Sequence, residues 1–185
     1  MFKKAKPEIA RDQGPYSDMR IYDESTSRRT KWSVKINWSR ELTFSERQIN
    51  YIRDNVADAR GVYCIYAKHH RFQFTSRDWP TNRWSKIIYI GSGWLSRRLS
   101  AHLSQRRNNL LAMYADNYEL AYRCDRIIES DVLDWPRTVE AYLLREFETK
   151  FGALPCANRK RESIPQLPLD SFILSQRNFD FLARG

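Results

Sequence analysis

The chain has 185 residues, enough for one sizeable core, and its 42% hydrophobic and 14% aromatic content favours a folded globular protein over a disordered one. No apolar run approaches the ~20 residues of a membrane helix, and "MFKKAKPEIARD" has no apolar segment behind its lysines, which argues against a membrane partner and a signal peptide. A formal charge of +10 points to a polyanionic partner, and three widely spaced cysteines (Cys64, Cys124 and Cys156) without a C-x-x-C pair suit a reduced, intracellular, cytoplasmic protein.

Residues 1–30 are charged and mixed, and read as a loosely held arm. "KWSVKINW", 31–38, alternates: Trp32, Val34, Ile36 and Trp38 share one face of a half-buried strand. Thr43 and Glu46 are spaced as a capping box for a helix running to about Asn55. "GVYCIYA", 61–67, is a buried strand. The stretch 68–86 is basic and aromatic, with Pro80 and Asn82 marking a turn, and reads as an extended hairpin arm leading into the strand Ile87–Ile90.

A glycine-rich turn, "GSG", then opens a helix with Leu95, Leu99 and Leu103 as its core stripe. Arg98 and His102 are four apart on a neighbouring face. "YELAYRCDRII", 118–128, is a third strand. "WPRTVEAYLLREFETKFG" is a helix with Pro136 in its first turn and Gly152 as its stop. Its stripe is Val139, Leu143, Phe147 and Phe151, with Glu140 at the edge. The tail 161–185 is too apolar to float free and should pack on the domain.

Charge is segregated along the chain. No acidic residue lies between Asp78 and Asp116, where Arg83, Lys86, Arg97, Arg98, Arg106 and Arg107 all fall; from Asp116 to Glu148 acids predominate. Such a field suits phosphate tracking, although a charge run can equally be a solvated face.

In chain order the polar residues on these elements are Tyr63, Tyr89, Arg98, His102, Glu140 and Asn158. This series resembles the GIY-YIG nuclease superfamily. "GVY" (Gly61-Val62-Tyr63) stands for the first signature and "YIG" (Tyr89-Ile90-Gly91) matches the second. "LSRRLSAH", 95–102, resembles the family's L-x-x-R-L stretch, "VEAYLLREF" the helix with its glutamate, and "LPCAN", 154–158, its P-x-x-N terminus. The resemblance covers roughly residues 58–160. It implies an α+β fold in which a short central three-stranded antiparallel sheet is flanked by helices. The nuclease core would span 58–160 with the inserted arm 68–86, an N-terminal extension 1–57 that wraps or contacts DNA, and a C-terminal segment 161–185 packed on the core.

The activity implied is that of a metal-dependent endonuclease hydrolysing phosphodiester bonds in double-stranded DNA, site-specific in the manner of restriction enzymes. A homodimer on DNA is one arrangement it allows. Glu140 would be the single metal ligand, for one Mg²⁺ or Mn²⁺ ion that keeps its waters and takes substrate oxygens; Glu146 is a second acid on the same helix. Arg98 would clamp phosphate with its planar fork. Tyr63 would be the general base, its pKa depressed by neighbouring cations (Lys68, Lys86 or Arg98) or by metal-bound water. Tyr89 would orient water or phosphate, His102 would relay the proton, bind phosphate or simply lie on the surface, and Asn158 and Gly91 would support the site.

DNA contacts are expected from Arg71, Arg77, Arg83, Lys86, Arg97, Arg106 and Arg107. The arm either reads DNA or packs its aromatics against strand 31–38. Other readings stay open: Tyr63 and Tyr89 as plain core aromatics, a non-catalytic nucleic-acid-binding module on the same fold, or a repair or mobile-element nuclease.

Overall fold

Val62 through Ala67 is apolar at every position, as a strand covered on both faces requires. The computed structural model describes residues 18–24, 31–56, 58–76, 79–104, 109–127, 135–160 and 172–174. In it Arg60–Ala67 (β4) is flanked by two antiparallel strands, Ile87–Trp94 (β7) on one side and Leu120–Ile127 (β8) on the other. These three strands carry the two cores. Val62, Cys64, Tyr66, Ile87, Ile90 and Ala121 face helix α4, Trp135–Phe151, which contributes Val139, Leu143, Leu144, Phe147 and Phe151. Tyr63, Ile65, Ile88, Tyr89, Tyr122 and Cys124 face the opposite side, under helices α1 (Ile49–Asn55), α2 (Leu95–Ser104) and α3 (Asn109–Asn117). The architecture is α+β, with the sheet between the two helical layers.

The antiparallel triad expected from the sequence is present, and it sits in a larger sheet. Beyond β8 run Asp18–Glu24 (β1), Lys31–Lys35 (β2) and Phe172–Leu174 (β9), giving the order β7-β4-β8-β1-β2-β9. The β1–β8 and β2–β9 pairs are parallel, so the full sheet is mixed. Leu42–Phe44 (β3) shares the β8 edge. The arm is a two-stranded hairpin of its own, Phe72–Ser76 (β5) against Trp79–Ser85 (β6).

Helix α4 begins one residue before Pro136 and ends at Gly152, whose φ of 76° is the left-handed geometry of a helix stop. Other local signals were overridden by pairing. Thr43 does not cap a helix: it is paired with Ala121 in β3, a 3₁₀ turn fills Glu46–Gln48, and Ser45 precedes that turn without a side-chain cap. Helix α1 starts only at Ile49, although it ends at Asn55 as expected. Pro80 and Asn82 lie inside β6 rather than in a turn, because Ser76 pairs with Trp79. "GSG" is not a turn either. Gly91 and Gly93 pair with Tyr63 and Gly61, so β7 continues to Trp94 and α2 starts directly after it. Helix α3 had no counterpart in the sequence reading.

The arm packs on α4 and enters the buried cluster that also holds Ile36 of the segment 31–38. Phe74 is buried with ring centroids 5.3 Å from Phe147 and 5.6 Å from Phe151. Of the expected loose arm 1–30 and packed tail 161–185, only β1 and β9 belong to the described residues.

A Cβ built on Gly61 would lie 2.1 Å from the Asp125 carbonyl oxygen and 3.0 Å from Leu95 Cδ1. Gly61→Ala should therefore pry β8 from the central strand and destabilise the protein by at least about 1–3 kcal/mol, the range of forced overpacking. Urea denaturation followed by far-ultraviolet circular dichroism measures it. A variant with an unchanged midpoint would show that the strands are not this close.

Candidate active site

The register of β4 on β7 brings the two tyrosines together. Tyr63 pairs with Gly91 and Ile65 with Tyr89, so Tyr63 and Tyr89 are diagonal neighbours on one sheet face, their ring centroids 6.0 Å apart. Gly91 makes this possible. A Cβ there would come within 2.6 Å of both Tyr63 Cζ and its hydroxyl, and 2.7 Å from Tyr89 Cε1. Any side chain would push the phenol off the strand.

Helix α2 lies over this face. Leu95, Leu99 and Leu103 turn into the core, which leaves Arg98 and His102 on the flank that looks along β7. His102 Nε2 lies 2.8 Å from the Tyr63 hydroxyl, and its ring is 5.0 Å from that of Tyr89. Arg98 also acts on Tyr63, its positive charge favouring the ionised phenol. Its stem runs over Gly93, where a Cβ would meet Arg98 Cγ at 3.3 Å; φ at Gly93 is +121°, a conformation open to glycine.

Tyr63 is fully buried, and burial pushes its phenol well above the usual range. The neighbouring Tyr89 and Glu140 push it the same way, while Arg98 opposes them. The folded protein thus holds a neutral phenol: of the neighbouring cations expected to depress it, Arg98 does act on it but is outweighed by burial. When His102 carries its proton on Nδ1, Nε2 is the acceptor for the phenolic proton. The Tyr63 and Tyr89 phenols and Glu140 favour the charged form of Arg98, against a partial cost of burial.

Glu140 approaches from the other face. It projects from α4, is 6% exposed, and accepts a hydrogen bond at 2.5 Å from Ser92 Oγ to its Oε2. Ser92 pairs with Val62 and therefore points to the α4 side, between two glycines that serve the α2 side. Because Glu140 influences both Tyr63 and Arg98, the two half-sites form one electrostatic cluster across the sheet edge. Glu146, six residues on and about 120° away around the helix, is not Ser92's partner.

Asn158 closes the outer edge of β7. Its Oδ1 accepts from Ile90 N at 3.0 Å, its Nδ2 donates to Ile90 O at 2.8 Å, and Ala157 N donates to Ile88 O at 2.9 Å. The amide thus stands in for a strand neighbour.

The remaining expected residues lie elsewhere. Lys68 is ion-paired with Glu119 at 2.6 Å, five residues beyond Tyr63 and therefore about 16 Å along the strand. Lys86, whose carbonyl accepts from Ala67 N, is at that same far end. Neither reaches the phenol; Arg98 alone of the three supplies the field. Arg83 donates to the Lys150 carbonyl and anchors the arm to α4 instead of projecting from it. Arg97 pairs with Asp58 at 2.8 Å and lies over the Trp94 ring. Arg71 is exposed ahead of β5. Arg77, Arg106 and Arg107 lie outside the described residues.

The residue that sequence reasoning missed is Ser92. Extending the β7 alternation past Ile90 would have found it, had "GSG" not been read as a turn. A cleft of about 330 Å³ between β3, α2 and α3 touches His102, but Glu46, Asp116 and Glu119 line it and make it hostile to phosphate.

Among the described residues no three His, Cys, Asp or Glu side chains are grouped so that they could hold a metal ion between them. The donor set at β7 is one carboxylate, which does not match a zinc cage but fits Mg²⁺ or Mn²⁺, ions held by one or two carboxylates with waters and phosphate oxygens completing the shell. No helix among the described residues is long and apolar enough to cross a membrane. No family model, curated protein or solved structure matches the chain.

The sign of the Tyr63 shift sets a pH dependence. The folded phenol titrates above its unfolded value of ~10, so its contribution to stability is intact below pH ~10 and is lost as pH rises beyond it. Tyr63→Phe should flatten that alkaline loss, while at neutral pH it costs about 1–2 kcal/mol through the lost hydroxyl contacts. Thermal melts between pH 7 and 11 read both effects; identical alkaline slopes for the two proteins would place the phenol in water.

Proposed function

We propose that this chain is a metal-dependent endonuclease of the GIY-YIG type that hydrolyses phosphodiester bonds in double-stranded DNA. The observation that carries the reading is the meeting of Tyr63, Arg98 and His102 on one side of β7 with Glu140 on the other, at a strand edge stripped of side chains by Gly91 and Gly93. Motif order along the chain supports it, and so does the charge of +10.

Arg98 binds and neutralises the phosphoryl oxygens through its planar fork. Tyr63 donates or accepts a proton at its hydroxyl, with His102 Nε2 as the adjoining proton site and Tyr89 packed against both rings. Glu140 would hold a divalent cation, which when bound supplies Lewis-acid stabilisation of charge and a more acidic water. Burial of Tyr63 keeps its hydroxyl shielded from bulk water until substrate arrives at the edge. Site-specific cutting, and a homodimer on DNA, belong to this proposal as the restriction-type form of the fold.

One observation favours a second reading. Tyr63 is fully buried, as a core residue of a non-catalytic nucleic-acid-binding module would be. Incubating supercoiled plasmid with the protein in Mg²⁺ or Mn²⁺ separates the two. The wild type should nick or linearise the plasmid, and Glu140→Gln, Arg98→Ala and Tyr63→Phe should each lose about 10²–10⁴-fold in rate while still binding DNA. Binding without cutting by the wild type would establish the module. Full activity in Glu140→Gln would remove Glu140 from the site.

A further inference from the structure

Glu140 stands on a helix, yet the oxygen it presents at the β7 edge is not set by the helix alone. A glutamate side chain has three rotatable bonds, and its carboxylate turns freely about the last of them. At 6% exposure, a charged carboxylate needs a hydrogen-bonding partner to be tolerated. Ser92 supplies one at 2.5 Å, the short end of hydrogen bonds from a hydroxyl to an ionised oxygen. Ser92 is itself immobilised. Its backbone is paired with Val62, the residues on either side of it are paired as well, and Asn158 clamps the same strand two residues earlier. A rigid strand therefore holds one oxygen of a carboxylate carried by the opposing helix.

We propose that Ser92 is a positioning residue for Glu140, fixing the rotation of its carboxylate so that the plane offered to a divalent cation is dictated by β7. This rests on reading Glu140 as the metal-binding carboxylate. Hydrogen-bonded partners of metal ligands act in this way, and losing one typically weakens metal affinity about 10–100-fold. The three residues Gly91-Ser92-Gly93 then serve both half-sites at once: the glycines give room to Tyr63 and Arg98 on one face, and the serine orients Glu140 on the other.

Mn²⁺ binding to the full chain, read by electron paramagnetic resonance of the free ion, tests this without recourse to cleavage. Wild type should bind Mn²⁺ and Glu140→Gln should not. Ser92→Ala should weaken binding about 10–100-fold, and Ser92→Thr, which keeps the hydroxyl and suits a strand, should stay within a few-fold of wild type. Ser92→Cys provides a second isosteric loss of donor strength should the alanine variant fold poorly, and it too should bind more weakly. If Ser92→Ala and Ser92→Cys bind Mn²⁺ like the wild type while Glu140→Gln does not, the positioning role is overturned and the metal reading stands. A lowered melting temperature with unchanged Mn²⁺ affinity likewise reduces Ser92 to a structural contact. Equal Mn²⁺ binding by wild type and Glu140→Gln overturns the metal reading itself.

Discussion

The pairing of Tyr63 with Gly91 is the constraint from which the rest of the site follows. A slip of one residue would oppose Tyr63 to Ile90 or Ser92 and reverse which β7 side chains share its face. The observed register instead gives the phenol a bare backbone to lie on, and Gly93 does the same for the stem of Arg98. That register is held from several directions. β8 pairs along the other side of β4, both faces of the triad are packed by helices, and Asn158 covers the outer edge of β7 with a side chain that mimics a backbone. An edge strand left open would present unpaired backbone groups and an uncertain register.

Placing Tyr63 and Glu140 on two faces of one strand has electrostatic consequences. Tyr63 lies where water does not reach, so its ionisation is governed by its few neighbours. Arg98 favours the phenolate, whereas Tyr89 and Glu140 oppose it, and burial outweighs them all. In the folded protein the proton stays on the phenol, and His102 Nε2 holds that hydroxyl at 2.8 Å. Glu140 has a different environment: it is buried against β7 but bonded to a hydroxyl that is anchored in the sheet. Two oxygen acids on opposite sides of the same strand thus have distinct partners.

Helix α4 joins the site to the arm. Its N-terminal half carries Glu140, while its last turn receives Phe74 between Phe147 and Phe151 and the Arg83 guanidinium on the Lys150 carbonyl. Carbonyls at a helix C-terminus lack intrahelical partners and carry partial negative charge, so a cation there is well matched. From Glu140 to Lys150 is about 15 Å along the helix axis. The arm is therefore docked on the same rigid element that presents the carboxylate.

Much of the architecture was written locally. Complete apolarity from Val62 to Ala67 determined a central strand, the leucine stripe of 95–103 determined a helix lying on the sheet, and Pro136 and Gly152 bounded α4. Each is a property of neighbouring residues and their periods, which a chain carries with it before it folds. The order Tyr63, Tyr89, Arg98, Glu140, Asn158 likewise named the candidate site. Tertiary structure decided the rest. Thr43 and "GSG" had the chemistry of a cap and a turn, but strands distant in sequence, β8 for Thr43 and β4 for "GSG", claimed their backbones. Lys68, Arg83 and Arg97 looked like free cations until folding brought Glu119, the Lys150 carbonyl and Asp58 to them. That Tyr63 and Glu140 stand on opposite faces of β7, with Ser92 holding the carboxylate, depends on register and on which helix covers which face. Those are long-range choices, made only when the whole apolar surface is buried at once.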